Sequence, residues 1–204
     1  MLDAALRRRI DPQIEALAGW LAGRGVTPNG ATFAGLGLGL AAAGTIALGA
    51  PLLGLVFILV SRLCDGLDGA IARRTRPSDL GGFLDIVFDF IFYGAIPLAF
   101  ACLDPARNGL AAAFLLFTFY ANGASVLAFA IMAEKRGMAE TSGRGGKSLM
   151  FTVGLAEASE TLAAFVLACL FPQWFVWIAV VFGAMTAYTC LARIMLARRL
   201  LGEI

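Results

Sequence analysis

Six long apolar stretches, separated by short polar turns, fill most of this 204-residue chain. We place them at about 31–49, 52–73, 80–102, 109–133, 149–171 and 173–197. At 1.5 Å per residue, each is long enough as a helix to cross a hydrocarbon core of about 30 Å. Because a segment in lipid must satisfy its own backbone hydrogen bonds, the sequence predicts an all-α integral membrane protein with six transmembrane helices.

The first 25 residues differ from the rest of the chain. Apolar residues recur there at helical spacing with charges between them, which predicts an amphipathic juxtamembrane helix over residues 1–25, lying on the cytoplasmic membrane surface. We expect a single membrane domain over residues 1–204, with the six-helix bundle at about 31–197. The chain contains no histidine, which excludes histidine-based catalytic triads and histidine-ligated zinc.

The basic residues test the number of spans. All but two of the 16 lie at the N-terminus, in the turn at 73–76, in the loop at 134–147 or at the C-terminal end from Arg193; the exceptions are Arg62 and Arg107. With six spans these four groups lie on one side of the membrane, which the positive-inside rule makes cytoplasmic. Both termini are therefore expected to face the cytoplasm.

Four aspartates lie inside apolar sequence on either side of the 73–76 turn: Asp65, Asp68, Asp85 and Asp89. Acids at such depth are costly and by default mark a functional site. The spacings of three and four residues place each pair on one side of its own helix. A tight turn between the helices would join the pairs into an all-oxygen cluster suited to Mg²⁺ or Mn²⁺, and two such ions can clamp a diphosphate.

The same stretch carries four further residues that sharpen this interpretation: Gly69, Ala72, Arg73 and Gly82. Together with the four aspartates they resemble the signature of the CDP-alcohol phosphotransferases, integral membrane enzymes of phospholipid head-group synthesis. The turn Thr27-Pro28-Asn29, with Thr32, and the six-helix layout extend the likeness to most of the chain. The chain looks most like small bacterial members whose acceptor alcohol is not assigned.

The resemblance implies a reaction in which an alcohol attacks a CDP-linked donor, usually CDP-diacylglycerol, and CMP is released. It implies that Asp65, Asp68 and Asp85 hold two Mg²⁺ or Mn²⁺ ions, and that Asp89 completes the site and acts as general base. The donor-binding residues would be Asp65, Asp68, Gly69, Ala72, Arg73 and Gly82. It further implies a homodimer in the bacterial inner membrane, with an active site that faces the cytoplasm and no nucleic-acid partner.

Two of these assignments have a structural alternative. Glycines in membrane helices usually permit close packing, so Gly69 can serve the bundle instead of a nucleotide. The arginines of the 73–76 turn can serve as topology anchors without touching a substrate. A nucleotide lying against the helix backbones, by contrast, needs small side chains there, and a phosphate favours an arginine such as Arg73.

Two further groups are candidate acceptor contacts. Glu157 and Glu160, three residues apart on the fifth predicted span, either face the same cavity and orient the acceptor or pair with Arg62 or Arg193. The basic residues at the mouth of that cavity are Arg136, Arg144 and Lys147. They would contact a phosphorylated acceptor such as glycerol phosphate or inositol phosphate, or they would only anchor lipid head groups.

Two other functions fit the apolar composition. A six-helix transporter can use the acids for ion coupling, but it needs no small residues at positions 69, 72 and 82. A non-catalytic relative that binds nucleotide or lipid is expected to lack one of the motif acids, and none is missing here. A membrane-bound transferase is therefore the function that the sequence favours.

Overall fold

A computed structural model describes residues 2–75, 77–137 and 158–202, and within these ranges the chain is helical and contains no β-strand. The bounds are α1 Leu2–Ala22, α2 Pro28–Ala47, α3 Pro51–Arg74, α4 Asp79–Leu103, α5 Pro105–Lys135, α6 Ala158–Leu170, a 3₁₀ helix at Pro172–Trp174 and α7 Phe175–Leu201. The predicted all-α fold class is confirmed for the described residues, and α1 matches the predicted juxtamembrane helix.

The helices begin where the sequence places its turn residues. Thr27, Ser78 and Asp104 each accept a hydrogen bond from the backbone N–H three residues later, which satisfies a free donor in the first turn of α2, α4 and α5. A proline lies in the first turn of α2, α3 and α5, where its missing N–H costs nothing. The predicted ends of these helices differ from the observed ends by about one turn or less.

Among the described residues, four helical segments are long and apolar enough to cross a membrane: α2, α4, α5 and the segment Pro172–Leu201, which contains α7. Large apolar side chains stand exposed on these helices, among them Leu110, Phe117 and Trp177. Apolar surface on this scale is unfavourable in water and suits contact with lipid. Length, composition and surface thus agree on an integral membrane protein.

Two of the predicted spans differ from these four. α3 has 24 residues, or about 36 Å by helical rise, but Arg62, Asp65 and Asp68 make it more polar than an ordinary span. The described part of the predicted span at 149–171 is α6, whose 13 residues are too few to cross a bilayer. The rest of that span lies outside the described residues, so the count of six stays a prediction.

Two buried apolar clusters lie along the bundle. The larger one joins α2–α7 and contains the rings Phe92, Phe100, Phe165, Phe175 and Phe182. The smaller one joins α1, α2 and α3 through Ala18, Ala31, Leu67, Ala70 and Ile71. Along α3, the first motif aspartate falls between these clusters, so packed side chains on both sides restrict the motion of the acidic region.

α2 lies close to its neighbours at two glycines, and at Gly39 the approach leaves no room for a side chain. A Cβ at Gly39 would lie 2.7 Å from Cδ2 of Phe92, and one at Gly35 would lie 3.4 Å from the backbone oxygen of Ser61. The hydroxyl of Ser61 in turn donates a 2.7 Å hydrogen bond to the carbonyl of Gly35. These contacts hold α2 against α3 and α4 beside the acidic motif.

Candidate active site

The end of α3 and the beginning of α4 bring three carboxylates of the motif together. One oxygen from each of Asp65, Asp68 and Asp85 lies within 4.8 Å of the other two. By helical rise, Asp68 and Asp85 lie about 9 Å from the helix ends that meet at the turn. Carboxylate oxygens are the ligands that Mg²⁺ and Mn²⁺ prefer, so these residues fit a hard divalent cation.

Asp68 is buried and is held in place by α2. The residue is 7% exposed, and its Oδ2 accepts a 2.7 Å hydrogen bond from Oγ1 of Thr32. The same hydroxyl lies 3.0 Å from the carbonyl oxygen of Pro28. The turn before α2 and the first turn of that helix therefore position one of the three carboxylates.

Asp89 pairs with an arginine. Nη1 of Arg62 lies 2.7 Å from Oδ1 of Asp89 and 3.4 Å from Oδ2 of Asp65. Cζ of the same guanidinium lies over the ring of Phe92, 3.9 Å from its centroid. The sequence predicts Asp89 as a fourth metal ligand, whereas the structure groups the other three acids and gives Asp89 a cation as its neighbour.

A cleft of about 450 Å³ opens beside the carboxylates, between the start of α2, the end of α3 and the start of α4. Its volume is in the range of small-molecule sites. The motif residues that line it are Asp68, Gly69, Ala72, Gly82 and Asp85. The turn at 27–29 also lines it, so the two sequence regions that carried the family resemblance meet in one cavity.

Two glycines of the motif face open space. A Cβ at Gly82 would meet nothing within 4 Å, and one at Gly69 would come no nearer than 3.5 Å, to Nη1 of Arg73. Packing among the described residues therefore does not require glycine at either position. Their small size instead keeps the cleft wide, as a bound ligand would need.

Arg73, expected at the lip of the site, contacts the surface helix. Its Nη2 lies 2.8 Å from Oε1 of Glu15 in α1, and Nε of Arg74 lies 3.0 Å from Oε2 of the same carboxylate. The hydrogen bonds from Arg73 and Arg74 lower the pKa of Glu15 below its ordinary value of 4.5. These two ion pairs therefore connect α1 to the end of α3, next to the cleft.

The predicted acceptor contacts are only partly described. Arg136 follows the last residue of α5, and its guanidinium donates to the carbonyls of Leu200 and Leu201 at the end of α7, the second at 2.7 Å. Glu160 lies in the first turn of α6 and accepts a 3.0 Å hydrogen bond from Ser159. The other predicted contacts, Arg144, Lys147 and Glu157, lie outside the described residues.

Gly81 is a site residue that the sequence interpretation missed. It lines the cleft, and a Cβ there would lie 3.1 Å from both Oδ1 of Asn29 and Oγ of Ser78. Helical spacing carried the signal, because Gly81 lies four residues before Asp85 and therefore shares a face of α4 with it. Gly82, three residues before Asp85, lines the same cleft.

The pairing of Glu157 or Glu160 with Arg193 stays a prediction, because Glu157 lies outside the described residues; within the described residues, Arg193 contacts polar groups of α5. It is 7% exposed within α7, and its Nη1 lies 2.7 Å from both Oδ1 of Asn122 and Oγ of Ser125 on α5. These partners are neutral groups on a neighbouring helix. The other arginine considered as a partner for the acids of the fifth span, Arg62, pairs with aspartates of the motif.

Comparison with known proteins bears on these observations. The chain is 45% identical over 194 residues to the inner membrane protein YnjF of Escherichia coli K12, covering 95% of this chain and 94% of that protein. It is 28% identical over 167 residues to the archaetidylinositol phosphate synthase of Pyrococcus horikoshii, covering 81% of each. A shorter likeness, 35% over 88 residues, links it to the bifunctional IPC transferase and DIPP synthase of Thermococcus kodakarensis, of which it covers 20%.

The family comparison covers nearly the whole helical bundle. The sequence model of the CDP-alcohol phosphatidyltransferases matches residues 25–199, from the turn before α2 to the last turns of α7. The matched region contains the three-carboxylate group and the entire cleft. This protein is therefore a member of the CDP-alcohol phosphatidyltransferase family, a family of membrane transferases.

Proposed function

We propose that this chain transfers a substituted phosphate group from a CDP-linked donor, CDP-diacylglycerol, to an acceptor alcohol and releases CMP. The observation that carries the proposal is the convergence of three carboxylates beside a small-molecule cleft in a chain of this family. The open space at Gly69 and Gly82 supports a bound substrate, and a transporter that only couples ions does not account for it.

The three carboxylates would hold the metal. Asp65, Asp68 and Asp85 supply oxygen ligands at short range, and three acids this close need cations if all are to stay ionised. Their charge, added to that of a donor diphosphate, exceeds the charge of one divalent ion, which supports two Mg²⁺ or Mn²⁺ ions. When bound, the ions would neutralise the diphosphate and favour departure of CMP.

The chain's own residues would bind the donor and move one proton. The cytidine would lie against Gly69, Ala72 and Gly82 while the acyl chains stay in lipid. The acceptor oxygen bonds to the phosphorus that carries the lipid, and Asp89 takes the hydroxyl proton. The bond from that phosphorus to the CMP oxygen breaks, CMP leaves with the electron pair, and a phosphodiester lipid remains.

A phosphorylated polyol is the acceptor that we favour. The archaeal relative at 28% identity is named for an archaetidylinositol phosphate product, and the sequence between α5 and α6 contains Arg144 and Lys147. Guanidinium and ammonium groups suit a phosphate, whereas the carboxylates of Glu157 and Glu160 suit ring hydroxyls. Arg136 would be a weaker contact, because its guanidinium already donates to the end of α7.

The proposed orientation brings water-soluble and lipid reactants together. With six spans, the basic turn beside the carboxylates and both termini face the cytoplasm of a bacterial cell. The three-carboxylate group then lies within the bilayer, close to its cytoplasmic surface. A polyol phosphate can reach it from the cytoplasm, and the donor can reach it from the bilayer. We also infer a homodimer, as the family resemblance implies.

The proposed reaction is tested by CMP release. Purified protein in detergent would be given CDP-diacylglycerol, Mg²⁺ or Mn²⁺ and a panel of alcohols that includes inositol phosphate and glycerol phosphate. We expect release that requires both metal and one alcohol, and a loss of about 100-fold or more in Asp89→Asn, the range typical of a general base. Asp79→Asn is the matched control, since Asp79 is exposed at the start of α4.

The outcomes separate the candidate functions. Release with one alcohol, lost in Asp89→Asn and kept in Asp79→Asn, would establish the reaction and identify the acceptor. Metal-dependent CDP binding without release from any alcohol would favour the non-catalytic relative. If the protein neither binds CDP nor releases CMP, the proposal is overturned and ion transport becomes the favoured function.

A further inference from the structure

One carboxylate of α1 joins two consecutive arginines at the end of α3. Oε1 of Glu15 accepts a 2.8 Å hydrogen bond from Nη2 of Arg73, and Oε2 accepts a 3.0 Å hydrogen bond from Nε of Arg74. Neighbouring guanidinium groups repel each other, and a carboxylate between them allows both to lie close together. Glu15 therefore determines where the two positive charges lie.

Apolar packing fixes the helix that carries Glu15. Ala18 of α1 is fully buried in a cluster with Leu67 and Ile71 of α3. Ile14, one turn before Ala18, packs against the same cluster. Because α1 cannot turn without exposing this apolar face, the carboxylate of Glu15 has a defined place beside the end of α3.

α1 also leaves room for the second arginine. A Cβ at Gly19 would lie 2.9 Å from Nη1 of Arg74, so a larger residue there would displace the guanidinium. Gly19 lies four residues after Glu15 and shares a face of α1 with it. This face combines a carboxylate that pairs with both arginines and a small residue against which one of them lies.

The first arginine reaches the cleft. Nη1 of Arg73 lies 3.5 Å from the position that a Cβ would take at Gly69, and Gly69 lines the cleft. Gly69 directly follows Asp68 of the three-carboxylate group, so a phosphate bound at that group would lie close to this guanidinium. Arg73 thus contacts α1 through one nitrogen and the cleft wall through another.

We propose that Glu15 is a positioning residue for the donor, which holds the guanidinium of Arg73 over the cleft so that Nη1 meets the donor's phosphate. This inference rests on the proposed function and on Arg73 as a donor-binding residue. The side chain of Arg73 is 66% exposed, so without a partner it would sample many conformations. Holding it in place before the donor arrives reduces the entropic cost of binding.

An opposite role for Glu15 would be to compete with the donor. In that case its carboxylate would draw Arg73 away from the phosphate and weaken binding. The place of Nη1 over Gly69 favours positioning, because a guanidinium has five N–H donors and can bind a carboxylate and a phosphate together. The two roles predict opposite changes in the affinity for CDP when Glu15 is altered.

The experiment measures the affinity for CDP in the presence of Mn²⁺, by isothermal titration of the purified chain in detergent. Glu15→Asp keeps the charge but is one methylene shorter, so it cannot hold both arginines where they lie. We expect the Kd for CDP to rise about fivefold, the scale of an exposed ion pair. The KM for CDP-diacylglycerol should rise by a similar factor with kcat unchanged, because only donor binding is affected.

Arg74→Gln is the matched control. It removes the other ion pair of the same carboxylate and leaves Arg73 paired, so the affinity for CDP should stay at the wild-type value. In an Arg73→Gln background, Glu15→Asp should have no further effect, because Glu15 acts through Arg73. Circular dichroism checks that each variant is folded.

The outcomes separate this inference from the proposed function. Unchanged or tighter CDP binding in Glu15→Asp, beside a wild type that binds CDP, would overturn the inference alone. An undiminished effect in the Arg73→Gln background would also overturn it. Equal weakening in Arg74→Gln would do the same, since a loosened α1 would then be a sufficient cause. A wild type that does not bind CDP would overturn the proposed function together with the inference.

Discussion

Glycine has opposite surroundings in two regions of this molecule. In the bundle, a Cβ at Gly39 or Gly54 would lie 2.7 Å from a phenylalanine ring or 2.5 Å from an isoleucine side chain. At the mouth of the cleft, a Cβ at Gly69 or Gly82 would meet nothing closer than 3.5 Å. Neighbouring side chains leave no room for a larger residue at Gly39 or Gly54. At Gly69 and Gly82 a larger residue would meet no close neighbour.

This difference separates residues that build the fold from residues that serve a ligand. A glycine with a crowded Cβ position contributes to stability, and its replacement by a larger residue should destabilise the protein. A glycine with an open Cβ position beside a cavity contributes to binding, and its loss should spare stability. The same reasoning extends to charged groups in the C-terminal half of α3, and it yields predictions of decreasing size.

The largest effect is expected for Gly69→Leu. A leucine here would occupy the cleft, and CMP release should fall by about 100-fold or more because the donor is displaced from its reactive position. The melting temperature in detergent should stay within error of the wild type. Gly37→Leu is the control, since Gly37 is exposed on α2 with an open Cβ position and should retain activity. If Gly69→Leu bound CDP normally, the open Cβ position of Gly69 would not mark a ligand-binding residue.

Asp65→Asn should weaken metal-dependent CDP binding by about 10- to 100-fold, the range typical when a metal site loses part of its ligand environment. The substitution keeps the size of the side chain and removes its charge, so the fold should persist. Isothermal titration with CDP at fixed Mn²⁺ measures the effect, and Asp79→Asn is the matched control. Unchanged affinity and metal dependence in Asp65→Asn would count against the three-carboxylate site.

Gly39→Leu should act in the opposite way. The new side chain would collide with Phe92, and overpacking of this kind costs about 1–3 kcal/mol of stability. Thermal unfolding in detergent should occur at a lower temperature, while the fraction that stays folded should still bind Mn²⁺. A stable Gly39→Leu variant would mean that α2 can move away from α4, contrary to the close contact in this structure.

The smallest effect is expected for Glu15→Gln, at the surface end of the site. Arg73 and Arg74 lower the pKa of Glu15 below 4.5, so the folded state is stabilised by this ion pair above pH 4.5. That stabilisation is lost as the pH falls through the lowered pKa. Wild type and variant should therefore differ slightly in melting temperature near pH 7 and converge as the pH falls through the lowered pKa of Glu15. A constant difference across this range would exclude the ion pair as its source.

Local sequence rules were sufficient for the elements that begin with proline or a capping residue. Thr27, Ser78 and Asp104 mark helix starts through contacts three residues away, which a sequence displays directly. The meeting of Asp65, Asp68 and Asp85 was also predictable. Spacings of three and four residues fix the helix face, and a short turn leaves two consecutive helices little choice but to be neighbours.

The partners of Asp89 and the roles of the glycines could not be read in this way. Whether Asp89 meets a metal or Arg62 depends on the rotation of α4 relative to α3, and a rotation of one residue moves a side chain by about 100°. Whether Gly69 is crowded depends on helices distant in sequence. Helical spacing predicts which residues share a helix face, and tertiary packing decides what each of them contacts.

The contacts between α2 and its neighbours have a consequence for the protein in membranes of different thickness. Thr32 bonds Asp68, Ser61 bonds the carbonyl of Gly35, and Gly39 lies against Phe92, so α2 is fastened to α3 and α4 along its length. We therefore expect these three helices to tilt together when lipid length changes, so that the acids keep their spacing in short and long lipids alike.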